Sequence, residues 1–460
     1  MNKINKLSYL LILVLTILVA PSLAQNKTSM LRYDDDFSLL KINSHKKGLD
    51  HLKYISLGNK YFISFGGELR EQFQVYNNIN FGDVPPSYQD KSTNQLWHRF
   101  IVHANIELDS HLRFFIQLNN TVRFLNNNPV APEIDENQLS LHQAFAEIKI
   151  NRWKFRIGRQ ELLYGNNRLI TVREGPNTRL TFDGIVIKRT LKDGSIDFLA
   201  VSKVISKQFV FDDQSFKEGL IGFYGTQFFL NRKIGLDYFV VNLQSHMRKY
   251  NYQSGFENRQ TYGISIFSNL NKINFEVEGD YQSGKFSALK INAYSILANV
   301  NIIALPSKKG IIGFTISIAS GDKNSLDNKL NTYNLIYAKP AYGLAIPIGA
   351  TNIMSLSPYI KINPLQKLNI LAQVFFLARN SNKDGTYSPA MIQNRPRPDL
   401  LFSSNKKTLG EFYVVETNYQ QTKNLSFAFD YSFFKAGSYP KATGNGKDIS
   451  YFSFKSAFKF

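Results

Sequence analysis

The chain has 460 residues, 14% of them aromatic with 37 Phe and 24 Tyr, and no cysteine. The absence of cysteine excludes disulfide staples, thiolate catalysis and Cys-based metal sites, and the aromatic content favours strands over helical bundles. A formal charge of +20 calls for an anionic partner.

Residues 1–24 read as a cleaved signal peptide. Lys3 and Lys6 precede an apolar run from Leu7 to Val19, and Ser22 and Ala24 supply the small positions before Gln25. The run is shorter than the roughly 20 residues a spanning helix needs, and no cysteine follows to take a lipid. Beyond it no stretch reaches the ~18 uncharged apolar residues of a membrane helix. An exported chain whose basic residues are spread along its length points away from nucleic acid and towards an anionic solute or lipopolysaccharide phosphate. Residues 25–60 read as an N-terminal periplasmic segment or barrel entry. Within it, Arg32-Tyr33-Asp34-Asp35-Asp36-Phe37 reads as a solvated charge run rather than a calcium site.

From residue 61 onward, segments of about ten residues alternate apolar and polar side chains, as barrel strands do. Over 65–76, Phe65, Leu69, Phe73 and Val75 oppose Glu68, Arg70, Gln72 and Gln74. Over 97–108, Phe100, Val102, Ala104, Ile106 and Leu108 oppose Arg99, His103, Asn105 and Glu107. Over 112–124, Leu112, Phe114, Ile116, Leu118, Val122 and Phe124 oppose Arg113, Gln117, Asn119, Thr121 and Arg123, and later Phe275, Val277 and Tyr281 oppose Glu276, Glu278 and Asp280. One face suits lipid and the other water. A soluble sandwich shows the same alternation, so the connections decide.

Very short links at about 109–111, 151, 192–194, 230–232, 271–272, 364–366 and 421–423 alternate with long ones. The long ones are expected at 77–94, 125–139, 166–180, 206–217, 245–258, 321–350, 380–408 and 435–447, with 284–290 as a further outer loop and 304–309 as a longer turn. Periplasmic turns and extracellular loops alternate in this way. The expectation is an all-β, transmembrane, antiparallel up-and-down β-barrel of about 18 strands over residues 61–460, in the outer membrane of a Gram-negative bacterium. The last strand places Phe452, Phe454, Phe458 and Phe460 on one face opposite Tyr451, Ser453, Lys455 and Lys459.

One passage is more specific: Gly158-Arg159-Gln160-Glu161-Leu162-Leu163-Tyr164-Gly165-Asn166-Asn167-Arg168-Leu169, continued by Val172-Arg173-Glu174-Gly175-Pro176-Asn177 and Phe182-Asp183-Gly184. It resembles the alginate export family of outer-membrane barrels. Gly66-Gly67-Glu68-Leu69-Arg70-Glu71, Arg99 with Val102-His103-Ala104, Leu141-His142-Gln143-Ala144-Phe145, Ser320-Gly321-Asp322, Asp384-Gly385 with Tyr387, and the closing strand extend the resemblance over most of the mature chain. It implies an 18-stranded barrel with an arginine-lined, electropositive pore for a polyanionic uronate polysaccharide, constricted by loops.

The residues this implies as carboxylate contacts are Arg70, Arg99, Arg159, Arg168, Arg173 and Arg179. Glu68, Glu161 and Asp183 are the acids holding them in place, and Arg123 and Arg379 join by strand parity. Guanidinium suits the task because it pairs bidentately with carboxylate and stays charged. The competing reading is a luminal salt-bridge lattice that keeps the barrel from collapsing. Segment 166–180 reads as a constriction folded inward, Gly175-Pro176 fixing a tight path, against a surface hairpin that binds lipopolysaccharide phosphates. No Gly-x-Ser-x-Gly elbow or His-Glu-x-x-His pair is found, and His98, His103, His111 and His142 sit near strand ends or on polar faces, so no enzyme and no metal or cofactor is expected. The function expected is passage of an anionic polysaccharide such as alginate, in the export direction with periplasmic export machinery as partner. A diffusion porin taking up small anionic or neutral nutrients or oligosaccharides is the alternative. Outer-membrane lipid and lipopolysaccharide are the remaining partners.

Overall fold

The computed structural model describes residues 29–37, 40, 48–58, 61–165, 167–251, 253–305, 310–324, 326–396 and 404–460. The signal peptide expected at 1–24, Asn166 of the quoted motif and most of the expected turn at 304–309 lie outside the described residues.

Long strands run in chain order as β1 Phe62–Asn77, β2 Thr93–Glu107, β3 Leu112–Phe124, β4 Asn137–Ile150, β5 Trp153–Gln160, β6 Phe182–Leu191, β7 Gly194–Ile205, β8 Asp213–Phe229 and β9 Ile234–Tyr250. They continue as β10 Gln253–Ser268, β11 Ile273–Phe286, β12 Leu289–Leu305, β13 Gly310–Ala319, β14 Ile353–Leu365, β15 Leu368–Arg379, β16 Thr408–Gln420, β17 Leu425–Ala436 and β18 Ile449–Lys459. Among the described residues the sheet has 20 strands, and setting aside the two-residue pieces Ile55–Ser56 and Lys329–Leu330 leaves 18. Each is antiparallel to the next, and β18 pairs back onto β1 with Phe454 opposite Phe73. Closure satisfies every ladder within the wall, as hydrocarbon surroundings demand, because an open edge would leave backbone N–H and C=O groups without water.

Period-two patterning sets the faces. On β3, Phe114, Ile116 and Leu118 are 37–45% exposed, whereas Gln117, Asn119 and Thr121 are at most 1% exposed. The apolar row meets lipid and the polar row points into the lumen. The inner face is not uniformly polar, however. Trp97, Ile101, Phe115 and Phe145 are buried at 4% exposure or less, because chain folded into the lumen packs on them.

Three expected loops are much shorter than the sequence suggested. β9 continues to Tyr250 and β10 begins at Gln253, their pairing carrying one register shift between Ser245 and Arg248, β11 and β12 meet at 287–288 instead of leaving a loop over 284–290, and β8 already begins at Asp213. These ladders carry polar inward residues such as Ser245, Glu257 and Arg259, all buried, so strand sequence there reads as hydrophilic as loop. Loops 320–352 and 437–448, with the described part of 380–407, bring Tyr333, Ile346, Ile348, Tyr387 and Tyr439 into one apolar cluster with wall residues Phe412 and Phe434. They fill the end of the barrel opposite the short turns.

The passage quoted from the sequence breaks the wall. β5 has only 8 residues and β6 only 10, and between them 161–181 leaves the sheet. Gly158 and Gly184 face each other in register with φ of +128° and +153°, and a Cβ would come 2.3 Å from the Ala144 carbonyl or 2.2 Å from that of Ala200. Only glycine accepts both the conformation and the approach.

Candidate functional site

Segment 161–181 folds into the lumen. Ile170, Val172 and Asn177 are fully buried and Thr178 is 2% exposed, which a surface hairpin would not show. A second loop meets it there: the Thr171 amide donates to the Tyr337 carbonyl and the Tyr337 amide to the Leu169 carbonyl, both at 3.2 Å. The Tyr337 hydroxyl donates to Glu218 on β8 at 2.6 Å. Phe182 packs edge-on against the Tyr337 ring, and Leu180, Ile170 and Phe182 share an apolar cluster with Val201, Val241 and Leu243 of the wall. Two inward loops thus form one constriction.

A latch of ion pairs fastens the segment. Arg99 of β2 lies 2.7 Å from Glu68 and 2.5 Å from Glu174. Arg179 lies 2.7 Å from Glu161 and 3.0 Å from Glu174. Arg70 of β1 donates to the Glu174 carbonyl at 2.9 Å, the Pro176 carbonyl at 3.0 Å and the Asn177 side chain at 3.2 Å. The Asn177 amide in turn donates to the carbonyls of Asp135, His98 and Val122 at 3.0 to 3.3 Å. Glu161 also stands 2.8 Å from His142. Burial by itself pushes the Glu174 carboxyl up, but Arg99, Arg179 and Arg70 together hold it well below the usual carboxylate range, so it carries its charge.

The expected arginines therefore divide. Arg70 and Arg99, at 1% and 0% exposure, and Arg179 meet the chain's own carboxylates and carbonyls rather than open lumen. Arg159 is bidentate to Asp183 at 2.7 and 2.8 Å. Arg123 pairs with Asp135 at 2.6 Å and donates to Pro129, anchoring the 125–136 loop. Arg379 donates to the Asp384 and Ser404 carbonyls at 2.7 and 2.6 Å beneath the Tyr439 ring, 3.6 Å away. Parity placed Arg123 and Arg379 inward, and both sit at strand ends gathering loops; the carbonyl of Asp135, the partner of Arg123, in turn accepts from Asn177 of the inward segment. Arg168 reaches across to Glu278 on β11 at 3.0 Å. Arg173 stands apart: among the described residues its guanidinium has no carboxylate within 4.0 Å, and its backbone is left-handed, with φ of 53°.

Arg173 shares the wall of a cavity of about 490 Å³ with Asn167, Lys339, Lys455, Glu416 and Asp430. A larger chamber of about 690 Å³ opens beside the short turns, lined by Lys154, Arg156, Lys188, Asp197, Asp237 and Glu276. No group of three or more His, Asp or Glu able to hold a metal occurs among the described residues.

Sequence reasoning missed Glu174 and Asn177 as latch residues, although both lie in the quoted motif. An acid and an Asn flanking Gly-Pro were the available signal. It also missed Glu147, bound to Arg113 at 2.7 Å and Arg156 at 2.6 Å, and the fully buried Arg259 with Glu257 at 2.5 Å.

The model of the family described as Alginate export matches residues 61–449. No curated protein matches the chain. Solved structures share the fold at low identity. Pseudomonas aeruginosa OccK11 (OpdR) has a TM-score of 0.57 and 10% identity over 88% of this chain and 99% of that one. Pseudomonas aeruginosa OccK2 (OpdF), in a complex with glucuronate, has a TM-score of 0.58 and 10% identity over 86% and 98%. Acinetobacter baumannii OccAB2 has a TM-score of 0.58 and 12% identity over 86% and 98%. A closed lipid-facing barrel, with inward loops tied to its wall, is an outer-membrane pore, and the chain belongs to the alginate export family.

Proposed function

We propose that this pore passes anionic uronate sugars, as a polysaccharide such as alginate moving outward, and that Arg173 is the principal carboxylate contact at the constriction. The observation that carries the reading is a guanidinium that has no carboxylate within 4.0 Å among the described residues, held in a strained left-handed backbone on the wall of the cavity that Lys339 and Lys455 also line. A non-glycine residue keeps such a conformation only where its surroundings impose it, and such strain gathers at working sites. Arg168, on the same segment, is the second contact, able to exchange Glu278 for a passing carboxylate. Arg70, Arg99, Arg159 and Arg179 serve by fixing the frame. Low-dielectric walls focus the field of these cations and raise the local concentration of carboxylates. That a porin of this fold, OccK2, is found in a complex with glucuronate supports a uronate as the sugar class here.

The test is planar-bilayer recording with oligo-mannuronate on one side. Arg173→Gln is expected to keep heat-modifiable folding and lose most of the current block, and Arg168→Gln to weaken it less. Undiminished block in a folded Arg173→Gln pore refutes the assignment. Uptake of small oligosaccharides is the second reading, favoured by the loops that crowd one end of the barrel and leave space for short chains. Polymer appearing outside cells only when the pore is present supports export, and growth on oligo-uronates that depends on the pore supports uptake.

A further inference from the structure

The segment Met30–Phe37 lies inside the barrel. Tyr33 is 4% exposed and wedged edge-on against Phe145 and Phe115, with ring centroids 5.3 and 6.0 Å away. The Arg156 guanidinium lies 4.0 Å from its ring, close enough for cation–π attraction. Its hydroxyl donates to the Glu161 carbonyl at 2.8 Å, and its carbonyl accepts from Arg113 at 2.6 Å. Arg32 donates to the carbonyls of Gly67 and Phe460, both at 3.2 Å. The Met30 carbonyl accepts from Arg179 of the latch at 2.8 Å. The strap therefore reaches from the wall at β3 and β4 to the seam between β1 and β18, directly beneath the constriction.

Its position relative to the open space is the telling feature. Leu31, Tyr33 and Asp34 form part of the wall of the 690 Å³ chamber, whereas Met30 forms part of the wall of the 490 Å³ cavity. The strap thus stands between the two spaces that a solute crossing the constriction must connect. Asp34 is exposed to the chamber that also holds Lys154, Arg156 and Lys188. Asp34 thus adds a carboxylate to a wall that carries Lys154, Arg156 and Lys188 together with Asp197, Asp237 and Glu276.

We propose that Met30–Phe37 is an intramolecular stopper, a strap whose Tyr33 anchor and Asp34 carboxylate occupy the chamber beneath the constriction and hold the pore narrow until an anionic chain displaces them. Only the identity of the displacing anion rests on the uronate reading; the narrowing does not. The anchorage suits a displaceable element. It consists of one wedged ring, a cation–π contact and a few hydrogen bonds rather than a ladder continuous with the sheet.

The experiment records single-channel conductance in KCl alone for the full chain, a variant lacking residues 29–37, and Tyr33→Ala. The deletion is expected to raise conductance at least twofold, and Tyr33→Ala to flicker between the parental level and the raised one. Parental, steady conductance in both variants, or in whichever one assembles as a heat-modifiable barrel, overturns the proposal. Oligo-uronate is added only afterwards. Raised conductance without any block upholds the stopper and refutes the substrate reading. Parental conductance with normal block does the reverse.

Discussion

Replacing Glu174 with Gln should loosen the constriction without unfolding the barrel. Glu174 lies 2.5 Å from Arg99, 3.0 Å from Arg179 and 3.9 Å from Arg70, so one neutralisation weakens the hold on three guanidinium groups. A charge-assisted hydrogen bond contributes about 1.5–3 kcal/mol, and the two short contacts together would give ~3–6 kcal/mol. The side chain is 35% exposed and Gln keeps an acceptor oxygen, so solvent screening reduces the loss to ~2 kcal/mol. At about 1.4 kcal/mol per tenfold, the unlatched population rises roughly 25-fold. Single-channel records should then show frequent excursions to a larger conductance, and trypsin should cut at Arg168 or Arg173 sooner. Heat-modifiable migration should persist, because the wall ladders do not depend on Glu174. The same carboxyl carries a pH corollary. A depressed pKa means stabilisation that is present above the ordinary value of 4.5 and lost only as pH falls through the lower, folded value. The parental constriction should therefore keep its conductance from pH 7 down to about 4.5. Parental records and proteolysis rates in Glu174→Gln, or a parental pore that opens between pH 7 and 5, would refute the latch.

Other outcomes follow from the same contacts. Burial, with the Asp384 carboxylate adding to it, pushes Asp322 in the 320–352 loop up to about 6, and burial raises Asp384 as well. A raised pKa gives stability that is complete below the ordinary value and lost as pH rises through the folded one. The outer loop cluster should resist protease better at pH 5 than at pH 8, and the opposite order would contradict the buried pairing. Gly158→Val places side-chain atoms where a Cβ alone meets the Ala144 carbonyl at 2.3 Å and should abolish heat-modifiable barrel, whereas Gly175→Ala, whose Cβ meets nothing nearer than 3.9 Å, should assemble normally. The excess of 55 basic over 35 acidic residues should make the pore anion-selective in reversal-potential measurements across a KCl gradient, with selectivity falling as salt shortens the Debye length. Cation preference would refute it.

The wall was legible because period two is a local code. Phe114 and Ile116 against Gln117 and Asn119 announce their faces without knowledge of any partner strand. The count of strands followed from short turns, which cannot be mistaken for wall. Strands whose two faces are both polar were invisible to that code, so 245–258 read as a loop although Glu257 and Arg259 lie in a continuous ladder. At the constriction, the motif pointed to the right segment but not to the state of its charges. Whether an arginine is free or bound depends on carboxylates far away in sequence: Arg99 finds Glu174 and Arg168 finds Glu278 only because the barrel closes. Arg173 looks no different from Arg179 in the sequence, yet among the described residues one has no carboxylate within 4.0 Å and the other is clamped between two. The N-terminal strap was unreadable for the same reason, since the rings that receive Tyr33 sit on β3 and β4, inside a space that exists only after folding.

The contacts of Arg32 have a consequence for assembly. Its guanidinium bridges carbonyls of Gly67 and Phe460, residues on opposite sides of the join between the first and last strands. An added Cβ at Gly67 would come 2.6 Å from the Phe460 ring, so the two sides already touch. Arg32 thus ties the strap to the seam itself, so that a docked strap buttresses the join of β18 to β1, and a substitution at Arg32 should reveal itself first as slow insertion.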